Sequence, residues 1–181
     1  MQALVTELPG VVLLEPKVYG DTRGYFYESY NRRRFAELTG VDVDFVQDNH
    51  SRSVRNVLRG LHYQIEHAQG KLIRVIAGEV YDVAVDVRRS SPYFGRHVAF
   101  RLSAENKRMA WIPPGFAHGF LVLSEQVEFL YKTTDYWHPE FERSLAWNDP
   151  QLAIQWPLTQ EPTLSDKDRR GVLLSAAEVY P

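Results

Sequence analysis

Val80-Tyr81-Asp82-Val83-Ala84-Val85-Asp86-Val87 carries the clearest secondary-structure pattern in the chain. Its side chains alternate with a period of two residues, which is the period of a β-strand. One face of that strand would carry Tyr81, Val83, Val85 and Val87, and the other Asp82, Ala84 and Asp86. The pattern therefore predicts a strand at Val80–Val87 with one uniformly apolar or aromatic face.

Short runs of β-branched and aromatic residues surround this strand, separated by turn signals such as Gly78 and the pair Pro92 and Gly95. The further predicted strands are Val11–Glu15, Tyr25–Glu28, Phe45–Asn49, Val57–Leu61, Leu72–Ala77, His97–Leu102, Met109–Ile112, Phe120–Leu123 and Val127–Lys132. Many short strands between regular turn signals are typical of an all-β sandwich or barrel. We therefore predict an all-β fold, a double-sheet jelly roll or small β-barrel with minor helices.

Two short helices are predicted between the strands. Asn31 is a favourable N-cap for a helix that ends at Gly40, a residue type that often terminates helices. A second helical piece is predicted at Ser165–Arg170, capped by its serine and ended by Gly171.

The composition is that of an ordinary globular chain. Its 181 residues show no internal repeat or linker, which predicts one domain spanning 1–181. The absence of cysteine excludes disulfides, thiolate nucleophiles and zinc sites built on cysteine. Because 21 Lys+Arg face 23 Asp+Glu, the net charge is -2, which offers no electrostatic basis for binding nucleic acid.

Neither secretion nor membrane insertion is indicated. The N-terminus lacks the basic region and apolar run of a secretory signal. No uncharged apolar stretch approaches the roughly 20 residues needed to span a bilayer. We therefore expect a cytoplasmic protein without a membrane partner.

The first of three segments with polar groups inside apolar strands is Val57-Leu58-Arg59-Gly60-Leu61-His62-Tyr63-Gln64, continued by Gln69-Gly70-Lys71-Leu72. It places Arg59, His62 and Lys71 on or beside strands. Taken alone, these residues fit two interpretations equally well. In the first interpretation, the three residues act together in a functional site. In the second, Arg59 and Lys71 are solvated residues at strand edges, and His62 is a hydrogen-bonded histidine of the core.

The second segment, Trp111–Phe120, contains two prolines and a glycine, which predict a rigid turn before His118. The spacing Pro113-x-Gly115-x-x-His118 resembles the second cupin motif. An ordinary turn with a packing histidine is the alternative.

The third segment, Phe129–Trp137, contains Tyr131. A buried tyrosine usually packs its ring and satisfies its hydroxyl with one hydrogen bond. By itself, Tyr131 fits that packing role better than a catalytic one.

A metal site of the usual cupin type is not indicated. Such a site commonly uses a His-x-His pair, but here His62 is followed by Tyr63 and Gln64. Glu66 and His118 could join His62, yet two histidines and a loop carboxylate at this spacing are a weak metal signal. We therefore predict no metal and a His62 that is free to act as a base, since the usual histidine pKa of about 6.5 suits proton abstraction.

Five motifs follow one another along the chain: Gln47-Asp48-Asn49-His50-Ser51, Leu58-Arg59-Gly60-Leu61-His62-Tyr63-Gln64, Pro113–Phe120, Leu130-Tyr131-Lys132-Thr133-Thr134 and Trp147-Asn148-Asp149-Pro150. Together they resemble the dTDP-4-dehydrorhamnose 3,5-epimerase family, which is cupin-like. The likeness runs from about Val11 to the Leu164–Asp168 segment. Five motifs in order are far more specific than any one, so the resemblance outweighs the packing interpretations.

The resemblance implies catalytic roles for four residues. The histidine matching His62 is the family's proton acceptor, and the carboxylate matching Asp168 pairs with it. The tyrosine matching Tyr131 is the proton donor on the opposite face. The lysine matching Lys71 lies near the 4-keto oxygen, where an ammonium would stabilise a developing enolate.

The resemblance also implies a set of substrate contacts. They match Arg23, Glu28, Gln47, Asp48, Asn49, Arg59, Lys71, His118, Glu142 and Lys167. Arg59 suits a diphosphate because a guanidinium can bond phosphate bidentately. Phe26, Tyr136 and Trp137 are looser candidates for walls around the base or sugar.

The implied reaction is epimerisation at C3 and C5 of a dTDP-4-keto-6-deoxy sugar, an isomerase activity in dTDP-L-rhamnose biosynthesis. Ketone-assisted proton exchange needs no redox cofactor, and the chain has no glycine-rich dinucleotide motif after a strand. We predict no cofactor. Two alternatives stay open: a related cupin enzyme that epimerises one centre or isomerises the ketone, and a non-catalytic sugar- or nucleotide-binding cupin.

The resemblance finally implies a homodimer with exchanged N-terminal strands. In that arrangement, Arg23 and Glu28 would serve the active site of the neighbouring copy.

Overall fold

Two antiparallel sheets face each other in the computed structural model, which describes residues 1–181. The strands are β1 Gln2–Val5, β2 Val12–Glu15, β3 Tyr19–Asp21, β4 Gly24–Phe26, β5 Gln47–Val54, β6 Leu58–Gln64, β7 Lys71–Ala77, β8 Glu79–Asp86, β9 His97–Ser103, β10 Met109–Ile112, β11 Phe116–Val122, β12 Gln126–Thr133 and β13 Glu142–Ser144. The six-stranded sheet has the order β1-β2-β10-β7-β12-β5, and the five-stranded sheet has the order β13-β6-β11-β8-β9. The β3-β4 pair forms a separate hairpin. This double-sheet architecture confirms the predicted all-β fold.

The alternation of β8 explains how the five-stranded sheet is covered on both faces. Val80 and Ala84 point into the main core between the sheets. Val83 and Val85 point the other way, into a second apolar cluster that includes Leu174 of the C-terminal segment. Both faces of this strand are therefore buried, although only one of them is uniformly apolar in sequence.

The predicted caps define both helices. α1 spans Arg32–Thr39, with the Asn31 side chain accepting from the Arg34 amide at 3.2 Å and Gly40 in the left-handed region at φ 73°. α2 spans Asp166–Arg169 and is capped by Ser165, so it is shorter than predicted.

Several strand predictions were displaced or missed. The predicted strand Tyr25–Glu28 is wrong in extent, because the pairing residues of this hairpin are Gly24–Phe26. The strand predicted at Phe45–Asn49 is β5, which begins at Gln47 and continues to Val54. The strand predicted to start at Phe120 is β11, which starts at Phe116. Strands β1, β3 and β13 were not predicted, since they are short and take their positions from pairing rather than from an apolar pattern.

Neither α1 nor any other helix of the chain is long and apolar enough to cross a membrane.

Candidate active site

A cavity of about 690 Å³ opens between the two sheets. The five-stranded sheet lines it with Arg59 and His62 on β6 and with His118 on β11, while the six-stranded sheet contributes Lys71 on β7 and Tyr131 on β12. The three predicted segments therefore meet in one place, although they are far apart in the chain.

Two glycines position His62 by allowing β6 and β11 to approach closely. A Cβ on Gly119 would lie 2.6 Å from the Arg59 carbonyl oxygen, and one on Gly60 would lie 2.5 Å from the Gly119 Cα. Gly60 also has φ 125°, which side-chain-bearing residues rarely adopt. The close approach sets His62 directly opposite His118 in the strand register.

His62 is paired with a buried carboxylate. Its Nε2 lies 2.6 Å from Asp168 Oδ1, and the Asp168 side chain is only 3% exposed. Asp168 also accepts hydrogen bonds from the Ser165 hydroxyl at 2.6 Å and the Gly60 amide at 3.2 Å. His62 also lines the cavity, and only its Nε2 is engaged by Asp168.

The electrostatics of this pair suit a neutral imidazole beside a carboxylate. Burial lowers the pKa of His62, and hydrogen bonding to Asp168 only partly opposes that effect. Burial favours the neutral form of Asp168, but the hydrogen bonds from His62 and Ser165 prevail and lower its pKa to about 2. His62 is thus an available base, and Asp168 is a permanent anion that would stabilise the imidazolium once it forms.

Lys71 reaches the same region from the opposite sheet. Its Nζ lies 3.5 Å from the His62 carbonyl oxygen. Burial lowers the pKa of Lys71 to about 8, and the carboxylate of Glu142 partly counters this. Glu142 itself pairs with Lys167 at 2.9 Å. The site therefore holds a poorly solvated cation that remains protonated at neutral pH.

Tyr131 stands on the six-stranded sheet, across the cavity from the strand that carries His62. Burial raises its pKa, and Glu142 raises it further, so the hydroxyl stays protonated at neutral pH. Its ring packs near that of Phe129, with centroids 6.1 Å apart. This arrangement leaves a proton donor on the wall opposite the base.

Asp82, which does not itself line the cavity, holds a cavity residue and was not identified by the sequence analysis. It is completely buried and holds the His118 Nε2 with both carboxylate oxygens, at 2.9 and 3.0 Å. An aspartate on the interior face of the Val80–Val87 strand was the available signal, because a buried carboxylate requires a partner. Asp82 thus fixes the orientation of the His118 ring at the back of the cavity.

Two polar residues of the cavity, Asn49 and Arg59, have unused hydrogen-bonding capacity. The Asn49 Nδ2 is buried and has no partner, while its Oδ1 accepts from Gln47 at 2.9 Å. Arg59 donates to the Ser53 hydroxyl at 3.0 Å and has no carboxylate partner. A buried free amide and a guanidinium without a counter-ion are suited to receive an anionic, hydroxyl-bearing ligand.

The structure separates several predicted contacts from this cavity. Asp48 lies on the other face of β5 from Gln47 and Asn49, because side chains alternate, and it binds Lys132 at 2.9 Å. Asp48 therefore does not line this cavity, and its role as a substrate contact stays a prediction. Arg23 and Glu28 also lie outside the cavity and bind Asp21 and Asn31, respectively.

The aromatic candidates divide in the same way. Trp137 lines the cavity, whereas Phe26 and Tyr136 do not, although all three side chains are more than half exposed. The cavity is also lined by residues that the sequence analysis did not assign as contacts, including Ser51, Gln64, Gln69 and Ser165. Gln64 and Gln69 belong to the first segment quoted above, so the sequence predicted that they lie near the site. It did not predict what either side chain does there.

Sequence comparison identifies the family. The profile of the dTDP-4-dehydrorhamnose 3,5-epimerase family matches residues 5–176. The chain belongs to this family. The dTDP-4-dehydrorhamnose 3,5-epimerase of Pseudomonas aeruginosa is 63% identical over 181 residues, which are 100% of each chain. This match confirms the family and the isomerase class predicted from the motifs.

Solved structures agree with the family assignment. The dTDP-6-deoxy-D-glucose-3,5-epimerase of Legionella pneumophila, in complex with dTDP-4-keto-L-rhamnose, has 55% identity and a TM-score of 0.96, covering 98% of this chain and 94% of that chain. A 3'-monoepimerase of Streptomyces bikiniensis, in complex with dTDP-quinovose, has 34% identity and a TM-score of 0.89, covering 97% of this chain and 88% of that chain. The cupin-like jelly roll is thus shared by 3,5-epimerases and by a 3'-monoepimerase.

Proposed function

We propose that this chain converts dTDP-4-dehydro-6-deoxy-D-glucose to dTDP-4-dehydro-L-rhamnose by epimerisation at C3 and C5, a step in dTDP-L-rhamnose biosynthesis. Family membership supports the reaction class. The observation that carries the mechanism is that His62 and Tyr131 enter one cavity from opposite sheets. A base and an acid on opposite walls can remove a proton from one face of a sugar ring and add one to the other.

The mechanism begins with proton abstraction by His62. The C–H bond next to the ketone breaks, its proton passes to the imidazole, and its electrons delocalise onto the 4-keto oxygen. Asp168 stabilises the resulting imidazolium at 2.6 Å. The Lys71 ammonium stabilises the enolate, where a fixed positive charge is most effective because it needs no reorganisation during the reaction.

Reprotonation completes the inversion. Tyr131 donates its hydroxyl proton to the opposite face of the carbon, and the enolate collapses to the ketone. Solvent then restores the proton of Tyr131 and removes the one held by His62. The same cycle at the second carbon gives the doubly inverted sugar without net gain or loss of electrons.

The remaining cavity residues would bind the nucleotide sugar. We assign Arg59 to the diphosphate, the free Asn49 amide to a substrate oxygen and the Trp137 ring to a wall of the pocket. Gln47, His118, Glu142 and Lys167 complete the proposed contacts. The structure of the Legionella pneumophila relative with dTDP-4-keto-L-rhamnose supports a ligand of this chemistry.

Proton NMR of dTDP-4-keto-6-deoxyglucose incubated with the protein in D₂O tests the proposal. We expect deuterium at both C3 and C5 together with inversion at both. Inversion at one centre alone would indicate a single epimerase, as in the Streptomyces bikiniensis relative. Binding without any exchange would indicate a non-catalytic sugar-binding cupin.

Two substitutions complete that experiment. His62→Asn should abolish exchange, because it removes the base while keeping a polar side chain. Asp168→Asn should be milder, since the imidazole remains but its charged form loses support. Wild-type exchange in His62→Asn would place the base elsewhere.

We further propose that residues 1–181 form a single domain that acts as a cytoplasmic homodimer with exchanged N-terminal strands. The exposed β3-β4 hairpin supports the dimer, because Tyr19, Tyr25 and Phe26 on it are each more than half exposed. Surface aromatic side chains that cluster in this way commonly mark protein interfaces.

A further inference from the structure

His67, Asp135 and His138 form a cluster beside the active-site cavity that the proposed mechanism does not use. One ligand atom from each lies within 4.8 Å of the others. His67 Nδ1 is 3.3 Å from Asp135 Oδ2, and the two imidazole rings stack with centroids 4.2 Å apart. We propose that these three residues bind a divalent transition-metal ion of the Zn²⁺ class and thereby join the two loops at the rim of the cavity.

The donor set selects this class of ion. Two imidazoles and one carboxylate are a common ligand combination for Zn²⁺, whereas Ca²⁺ and Mg²⁺ prefer oxygen ligands alone. Three protein ligands leave one tetrahedral position for water or a further carboxylate. Glu140 Oε1 lies 3.6 Å from His138 Nδ1 but does not belong to the three-residue cluster, so water is the expected fourth ligand.

The backbone around the cluster is held in place by one buried side chain. The side-chain Nε2 of Gln64 donates to the His67 carbonyl oxygen at 2.7 Å, and its Oε1 accepts from the backbone N–H of His138 at 2.8 Å. Gln69 fixes the third ligand by donating to the Asp135 carbonyl oxygen at 2.9 Å. Because hydrogen bonds hold all three backbones, less conformational entropy is lost when the ion binds.

An ion can reach the cluster from solvent. The side chains of His67, Asp135 and His138 are 48%, 35% and 30% exposed. They are also separate from the proposed base, because His62 bonds to Asp168 and belongs to another cluster. The proposed site is therefore structural, and it does not depend on the proposed epimerase activity.

Its position connects the site to the cavity. Asp135 and His138 flank Trp137, which lines the cavity and whose amide donates to the Gln47 side chain at 3.1 Å. His67 belongs to the loop between β6 and β7, which carry His62 and Lys71. A bound ion would thus hold the Trp137 loop against the strands that bear the catalytic groups.

Calorimetric titration of the tag-free protein with ZnCl₂ tests the site. We expect one Zn²⁺ per chain, and Co²⁺ substitution should give the visible absorption of a tetrahedral site. His67→Asn and His138→Gln should each weaken binding at least about tenfold, since even loss of an outer-sphere partner often costs that much. Asp135→Asn should act in the same direction.

His50→Asn is the matched control. His50 forms an exposed histidine–carboxylate pair with Glu128 at 2.6 Å but has no second histidine. We expect Zn²⁺ binding by this variant to equal that of the wild type. Equal Zn²⁺ affinity in the wild type and the His67→Asn/His138→Gln double variant would overturn the proposal, as would the absence of any binding by the wild type.

Fluorescence and melting curves report on the loop itself. Zn²⁺ should change the tryptophan emission of the wild type, to which Trp137 contributes as one of four tryptophans, and raise the melting temperature, because a ligand that binds only the folded state stabilises it. Both effects should disappear in the double variant, whose melting temperature without Zn²⁺ should stay near that of the wild type. An unchanged Zn²⁺ response in that variant would place the ion elsewhere.

Discussion

In the proposed mechanism, the residues for proton transfer come from both sheets of the cavity. His62 and Asp168 form a base with a fixed anionic partner, and Lys71 supplies the positive charge next to them. Tyr131 approaches from the other sheet with a hydroxyl whose pKa is raised. The pKa shifts of these groups have separate consequences that can be measured.

The pH dependence of kcat/KM should be bell-shaped. His62 must be neutral to accept a proton, and burial lowers its pKa, so the acidic limb should lie below the usual histidine value. Lys71 must be charged to stabilise the enolate, and its pKa of about 8 should give the alkaline limb. Tyr131 cannot account for that limb, because its pKa is raised above 10.0.

Lys71→Met tests the assignment of the alkaline limb. The variant should lose kcat more than substrate affinity, and its remaining activity should show no decline near pH 8. A wild-type profile that stays flat through the alkaline range would mean that neutral Lys71 suffices. A pure KM effect in the variant would reassign Lys71 to binding.

Tyr131→Phe should separate exchange from inversion. The substitution keeps the ring and its packing near Phe129 but removes the acid. His62, Asp168 and Lys71 still form the enolate, and His62 can return a solvent-derived proton to the original face. We therefore expect deuterium uptake with little inversion, measured by NMR on one sample with a melting curve as the control for folding. Exchange and inversion that fall in parallel in a folded protein would contradict the two-face mechanism.

At the scale of elements, the close contact between β6 and β11 positions His62, the proposed base. Gly119→Ala would place a Cβ 2.6 Å from the Arg59 carbonyl oxygen, so the two strands would have to separate. We expect a loss of about 1–3 kcal/mol in unfolding free energy, typical of overpacking, and a larger loss of kcat. Gly20→Ala is the control, because its Cβ would meet only an ordinary 3.7 Å contact. Equal melting temperatures for both variants would show that the strands tolerate the side chain.

The sequence predicted those helices and strands whose capping residues or alternating side chains match the structure. α1 has both caps in place at Asn31 and Gly40, and Val80–Val87 alternates as its strand requires. β13 could not be predicted, because Glu142–Ser144 has no apolar pattern and is ordered by pairing with β6.

The same distinction applies to the candidate site. Motif resemblance located His62, Lys71, Tyr131 and Asp168, all of which line the cavity. It did not identify Asp82, whose partner His118 lies on another strand, so that only the fold brings the pair together. The cluster of His67, Asp135 and His138 was missed for the same reason, since His67 lies on a different loop from the other two ligands.

At the scale of the whole molecule, the β3-β4 hairpin lies outside the cavity of its own chain. The Arg23 side chain on this hairpin is 88% exposed and binds only Asp21. Its neighbours Tyr25 and Phe26 are also exposed. Arg23 does not line the cavity of its own chain, and it lies among exposed aromatic rings. This position fits the proposed role in the site of a second copy.

Mixing two inactive variants tests that role. In a heterodimer of His62→Asn with Arg23→Ala, the site built on the Arg23→Ala chain keeps its own His62 and would receive the intact Arg23 of its partner. The other site would lack both groups. Random reassortment should then leave roughly a quarter of all sites intact, and activity should recover to about that fraction after the subunits exchange.

The recovery depends on which chain Arg23 serves. If Arg23 acted in its own chain, every site in the heterodimer would lack either His62 or Arg23, and mixing would restore nothing. Light scattering on each variant before mixing must show that both still dimerise, and equal melting temperatures must show that both are folded. Mixing His62→Asn with Lys71→Met gives the matched comparison, since both residues line the same cavity of one chain and no subunit exchange can reunite them. Recovery in the first mixture and none in the second would assign Arg23 to the neighbouring site, whereas no recovery in either would leave the hairpin without that role.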